Sequence, residues 1–231
     1  MNASLPLPRL LGTTVALKAI MAVTGLLLVG FLVGHMVGNL QVFDLFGGKQ
    51  AINAYAAWLH SKPMLLWGTR FGLIGLISLH VFSAVTLVKR NAAARPTQYK
   101  LKKPIKSTYA SRTMVMSGPI LSAYIIYHLL HFTITGVGIP DFGGKDALGQ
   151  VDVHRHIIVS FQSVPVSLAY LVAMSLLALH LWHGLWAFFQ SLGLSSPRWD
   201  GARRHVATAL TAVIIIGFMS VPLGVLLGIV R

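Results

Sequence analysis

Four histidines lie deep inside apolar runs of this chain: His35, His80, His128 and His180. An imidazole in hydrocarbon is costly, so an ionisable side chain at such depth points to function. Neutral imidazole is also a common metal ligand. The setting of these histidines repeats. Met21-Ala-Val-Thr24-Gly25 followed by His35 has the layout of Met114-Val-Met-Ser117-Gly118 followed by His128. Leu79-His80-Val-Phe82-Ser-Ala84 is echoed by Leu179-His180-Leu-Trp182-His-Gly184. Four apolar segments therefore each bring one histidine inward, in the order A-B-A-B.

Depth can be read from helix rise. His35 lies 17 residues beyond Lys18 and His128 lies 16 beyond Arg112, which is roughly 24–26 Å from the inner helix ends. His80 lies nine residues before Lys89 and His180 eleven before Ser191, or about 14–17 Å from the same side. Two imidazoles share an outer level and two an inner one. Such pairs on facing helices can supply the two axial ligands of a haem iron. A single buried histidine is readily explained by a hydrogen bond to a neighbour. Four at paired depths point to metal or haem. Zinc would need a compact tetrahedral cluster, which two levels do not provide.

Gly25 and Gly118 lie ten residues inward of the outer histidines, level with the inner pair, where a missing side chain would let a porphyrin approach. His131 and His183 each follow a proposed ligand by three residues. They read as neighbours that orient a ligand, as quinone contacts, or as alternative ligands. Lys18 and Arg112 at the inner ends, and Arg70 inside the second apolar run, are candidates for haem propionates. Snorkelling is the plainer reading of Arg70. His60, His154, His156 and His205 fall in loops or at helix ends and read as solvated.

The elements that must hold these residues follow from composition. Of 231 residues, 55% are hydrophobic and 10% charged, against about a quarter charged in soluble domains; mean hydropathy is +0.72. The expected fold is all-α and integral to the lipid bilayer, a single domain over 1–231. Five transmembrane helices fall near 15–42, 64–88, 112–137, 164–190 and 205–230, the first four forming a haem-binding bundle. Each run is long enough to cross. The net charge of +14 does not point to nucleic acid, because the basic residues cluster between apolar spans. Residues 89–112 carry eight of them, and Arg198, Arg203, Arg204, Arg9 and Lys18 fall on the same side. The positive-inside rule then puts the N-terminus inside. Met1–Arg9 lacks a basic n-region and cleavage site, so no cleavable signal peptide is expected. Cysteine is absent, which excludes disulfides, c-type haem attachment and iron–sulfur ligation within these residues. On the outer side, Lys49–Ser61 has the spacing of an interfacial amphipathic helix. Pro140–Gly144 reads as a turn, and Asp152–Phe161 is ambiguous between states.

Helix order and the segments LVGHMVGN, LISLHVF, YIIYHLLHF and ALHLWHGLWAF resemble a known family. It is the single-chain, di-haem cytochrome b membrane anchor of succinate dehydrogenases and fumarate reductases (succinate:quinone oxidoreductases). The likeness covers all five spans. It implies two haem b groups, the outer held by His35 and His128 and the inner by His80 and His180. It also implies cytoplasmic partners, a FAD-containing flavoprotein subunit and an iron–sulfur subunit, that carry the dicarboxylate chemistry, with no catalytic residue on this chain. The expected location is a bacterial inner (plasma) membrane. Some members carry an intramembrane glutamate two residues before the fourth-helix ligand; here that position is Ala178, and no glutamate occurs anywhere.

The function expected is that of an anchor and electron conduit between the iron–sulfur partner and quinone, with menaquinone the expected type. Two haems stacked across a bilayer serve an outer quinone site, for which Asn53, His60 and His131 are the candidate donors. A cytochrome b subunit of a hydrogenase or formate dehydrogenase is the rival of similar shape. A transporter built from a parallel repeat is the non-enzymatic rival; it needs broken helices, for which Pro119 and Pro222 are the weak signs.

Overall fold

The computed structural model describes residues 12–94, 97, 107–140 and 142–231. Arg9, Arg95, Lys100, Lys102, Lys103 and Lys106 of the basic set, and Asp141 of the expected turn, lie outside them. The regular structure described is helical, apart from one antiparallel bridge between Lys145 and Val151. Among the described residues seven α-helices follow in order: α1 (Thr14–Leu40), α2 (Gly48–His60), α3 (Pro63–Ala93), α4 (Tyr109–Leu129), α5 (Val153–Gln162), α6 (Val164–Ser191) and α7 (Asp200–Leu226). A π turn, Leu130–Ile134, continues α4.

Local chemistry sets the ends. Thr13 caps α1 by accepting from the Ala16 N–H, and Thr108 caps α4 by accepting from Ser111, each satisfying an orphan donor of the first turn. Pro63 opens α3, where its missing N–H costs nothing. Gly47, at φ 102°, makes the turn into α2 that a side chain would resist. The ambiguous stretch after Asp152 is helical. Asp152 settles it by accepting from the Arg155 N–H as the cap of α5.

Among the described residues five helical stretches are long and apolar enough to cross a membrane: α1, α3, α4 with its π turn, α6, and α7 with the short turn before it. Large apolar side chains such as Leu27, Phe71, Ile74, Val172, Val213 and Ile216 point outward and are mostly exposed, as a lipid-facing surface requires. The helix of the fifth span, α7, begins at Asp200, five residues before the expected His205, and ends at Leu226 rather than at 230. Pro119 and Pro222 lie inside continuous helices. Neither breaks its span.

The packing order positions the histidines. Using inner for the end where α1 begins, α1 packs against α3 and α6, and α4 packs against α6. The fifth span, α7, lies against α6 and α1, with Met36 and Ile214 in a buried seam. So α1 faces α4, and α3 faces α6, across the diagonals of the bundle. Neither diagonal pair is among the closely packed neighbours. At the outer end, α2 and α5 pack together and seat Val42, Ile52, Ile157, Phe161, Tyr170 and Val225 in one core.

Candidate functional site

Each diagonal of the bundle is bridged by a pair of imidazoles. His35 of α1 and His128 of α4 have ring centroids 5.8 Å apart, at an interplanar angle of 77°. His80 of α3 and His180 of α6 lie 6.3 Å apart at 53°. Two imidazoles bound on opposite sides of one metal, at about 2 Å per metal–nitrogen bond, have centroids roughly 6 Å apart. Both pairs match that span. Among the described residues no group of three or more metal-ligating side chains gathers; the imidazoles come in twos.

The inner pair is well prepared on one side. His80 Nδ1 lies 3.2 Å from the Met21 carbonyl oxygen and 3.2 Å from Thr24 Oγ1. Thr24 already donates its own proton to the Ile20 carbonyl at 2.7 Å, so the imidazole N–H is the donor to both. That fixes the tautomer and leaves Nε2 with its lone pair, as a metal ligand requires. On the facing side, His180 Nδ1 is buried and has no hydrogen-bond partner, and the same holds for His183 Nδ1 and Trp186 Nε1. Buried polar atoms without partners are rare and call for an explanation.

The outer pair has a different surround. The Tyr170 hydroxyl of α6, itself 5% exposed, lies 3.3 Å from His128 Nδ1 and 2.8 Å from His131 Nδ1. His131 sits in the π turn and is 1% exposed. Single π turns occur often at functional sites. His35 stacks on Phe31 at 5.3 Å and has Nε2 3.4 Å from Asn39 Nδ2, a long contact that ligation through Nε2 would replace.

The two glycines behave differently. A Cβ on Gly25 would meet His80 Cε1 at 3.3 Å, so this glycine makes room for the ligand ring itself. A Cβ on Gly118 would meet nothing within 4 Å, which leaves open space on the α4 side. Imidazoles paired at this separation and the open space at Gly118 fit a haem.

Other residues read from the sequence are placed elsewhere. Lys18 is exposed. Arg112 folds back on the start of α4, donating to the Ser107 carbonyl at 2.9 Å, and Arg70 lies over the Trp67 ring, 4.9 Å from its centroid. Asn53 is no free quinone donor. Its amide donates to Asp146 and Asp152 at 3.0 and 3.2 Å, and its oxygen accepts from the His154 N–H at 3.0 Å. Both donor hydrogens are used, because Asn53 is the hub tying α2 to α5. Of the three quinone candidates, His60 alone is exposed, with Nδ1 2.8 Å from the Ala56 carbonyl. His154 and His156 are not solvated either. They are 7% and 5% exposed, because α5 turns them into the outer core, where His156 stacks on Phe142 at 5.2 Å.

Lys49 completes the outer hub through an ion pair with Asp152 at 2.8 Å. Burial pushes the Asp152 carboxyl up, but the bonds from Lys49, Arg155 and Asn53 outweigh it and hold the group down at about 2. Burial lowers His154, a shift that the Asp152 charge opposes.

Tyr170 and Thr24 are the two site residues that reading the sequence missed. A signal existed for both. Thr24 stands in the repeated Thr-Gly and Ser-Gly frame, and Tyr170 precedes His180 by the same ten residues that separate Arg70 from His80.

Fold and site together define, among the described residues, an all-helical protein with five stretches able to cross a membrane and two facing pairs of half-buried imidazoles. No family model, no curated protein and no solved structure matches the chain.

Proposed function

We propose that this chain is the membrane anchor and electron-transfer subunit of a succinate:quinone oxidoreductase. The observation that carries the reading is the bridging of both bundle diagonals by imidazole pairs, at centroid separations of 5.8 and 6.3 Å. His35 and His128 would hold one b haem and His80 and His180 the other. When bound, the haems supply one-electron transfer between an iron–sulfur partner at the inner face and a quinone.

The protein's own contributions are specific. Thr24 and the Met21 carbonyl orient His80, while Tyr170 engages His128. The apolar shell of the bundle keeps water from the imidazoles and so tunes the redox site. The orientation that puts the N-terminus inside, the bacterial inner membrane and the flavoprotein and iron–sulfur partners belong to the same proposal. Among the rivals, the transporter needs interrupted helices. Here α4 and α7 run through Pro119 and Pro222 without interruption, which favours the cytochrome.

The test is a reduced-minus-oxidised spectrum of the purified protein with haem quantified per chain. Two b-type haems, together with co-purification of a FAD-containing chain that oxidises succinate, are expected. A chain without b-type bands would overturn the cytochrome reading. A hydrogenase or formate dehydrogenase partner in place of the FAD chain would overturn the choice of complex.

A further inference from the structure

Tyr170 has one hydroxyl hydrogen and faces two imidazole nitrogens, His131 Nδ1 at 2.8 Å and His128 Nδ1 at 3.3 Å. The hydrogen can go to only one of them, so the other nitrogen must carry its own proton and donate to the hydroxyl oxygen. If His128 ligates iron through Nε2, its Nδ1 is the protonated nitrogen. The hydroxyl then donates to His131 Nδ1 at the shorter distance, and His131 carries its proton on Nε2.

We infer that Tyr170 and His131 form a directed hydrogen-bond relay, His128 Nδ1–H to Tyr170 O–H to His131 Nδ1, that positions the outer ligand and sets the potential of the haem it holds. The inference rests on the haem reading above. It assigns a role to two residues that ligate nothing. Tyr170 is held rigidly for this role. Its ring packs edge-on against Tyr124, Phe132 and Phe161, with centroids 5.2, 6.1 and 5.0 Å away, and it belongs to the buried outer core. His131 is buried in the π turn and stacks on Tyr127 at 5.2 Å.

The physical consequence has a sign. An imidazole that donates its distal N–H becomes a more basic ligand, which favours the higher oxidation state of the metal. A hydroxyl already donating onward is a better acceptor, because chained hydrogen bonds polarise one another. The relay therefore lowers the outer haem's potential, and breaking either link raises it. On the inner pair the corresponding chain ends on backbone: His80 Nδ1–H donates to the Met21 carbonyl and to Thr24, whose own hydroxyl donates to the Ile20 carbonyl.

The experiment is redox titration of the purified, haem-loaded protein, with the outer haem identified as the one missing from His128→Ala. Tyr170→Phe and His131→Leu should each shift the outer potential upward and leave the inner one unchanged. His131→Asn keeps an acceptor near the position of Nδ1 and should restore a value close to that of the unsubstituted protein. If Tyr170→Phe fails to assemble, the contrast between His131→Leu and His131→Asn decides alone. Two haems present with unmoved potentials in Tyr170→Phe and His131→Leu would overturn the relay while leaving the haem reading intact. A shift in Tyr170→Phe with none in His131→Leu would also overturn it, since the second link would be idle. A wild-type protein without b-type bands would instead overturn the haem reading beneath it.

Discussion

Thr24 Oγ1 and His80 Nδ1 stand 3.2 Å apart across the α1–α3 contact. By the internal repeat, Ser117 occupies the position of Thr24 and His180 that of His80. Both Ser117 Oγ and His180 Nδ1 are buried without a hydrogen-bond partner. Each is the kind of atom the other needs. Ser117 is therefore expected to serve His180 as Thr24 serves His80. Thr24→Val and Ser117→Ala should each weaken retention of the inner haem by about 10–100-fold, the usual cost of losing a ligand's hydrogen-bond partner. Haem content after graded detergent washing measures this, with the outer haem as internal control.

Removing a ligand should have an all-or-none signature. His80→Ala or His180→Ala should delete one b-type component, and His35→Ala or His128→Ala the other. The pairing follows from the two bridged diagonals. If His131→Ala or His183→Ala deleted a component while His128 or His180 proved dispensable, the ligand assignment would be wrong by one turn.

The glycines separate folding from loading. Gly25→Leu pushes against the His80 ring, which already lies 3.3 Å from where a Cβ would sit. It should lower thermal stability even in protein prepared without haem. Gly118→Leu enters space with nothing within 4 Å. It should leave the haem-free protein as stable as before, yet block loading of the inner haem. Melting curves of haem-depleted and loaded samples distinguish the two. Equal behaviour of both variants would remove Gly118 from the site.

The outer hub should loosen in acid. The Asp152 carboxyl is held at about 2, below its ordinary value near 4. Its stabilisation is therefore full above about pH 4 and lost as pH falls toward 2. About two pKa units correspond to at most about 2.7 kcal/mol, and the half-exposed Lys49 partner reduces this to about 1–2 kcal/mol. His154, lowered chiefly by burial, acts in the same direction from about pH 6.5 downward, because the unfolded segment takes up its proton first. Hydrogen-exchange protection factors in α2 and α5, corrected for the slower intrinsic exchange in acid, should fall on acidification, while those of the spanning helices stay high. Protection factors unchanged between pH 7 and 3 would contradict this.

Asn53→Leu probes the same hub at neutral pH. It leaves the His154 N–H without its partner and removes two donors from Asp146 and Asp152. An unsatisfied buried group costs about 1–3 kcal/mol, so a lower melting temperature is expected. Quinone affinity should change little, since the amide has no hydrogen to spare. A large loss of quinone binding without loss of stability would return Asn53 to the quinone site.

The architecture was legible in sequence because the bilayer imposes it locally. Length and apolarity alone mark the five spans, and the helices follow them to within about five residues, the widest departures being the end of α3 and the start of α7. Lys49–Ser61 read correctly as a short amphipathic helix, since the period of its apolar residues is local information. Asp152–Phe161 could not be settled that way. A ten-residue segment carries too few periods, and the Asp152 cap and the Asn53 contact to His154 belong to the folded hub.

Within the site, helix rise was enough to sort four histidines into two levels, because depth along a straight helix is simple arithmetic. Which ring faces which, and through which nitrogen, is a property of packed helices and not of spacing. The sequence by itself determined the spans, the repeat and the histidine levels. Only the tertiary structure decided that Arg70 lies on Trp67, that Asn53 is used up in the outer hub, and that Tyr170 joins His128 to His131. Each of these contacts joins a side chain to a partner whose rotation about its own helix is set by neighbouring helices, and rotation is what a one-dimensional pattern leaves open.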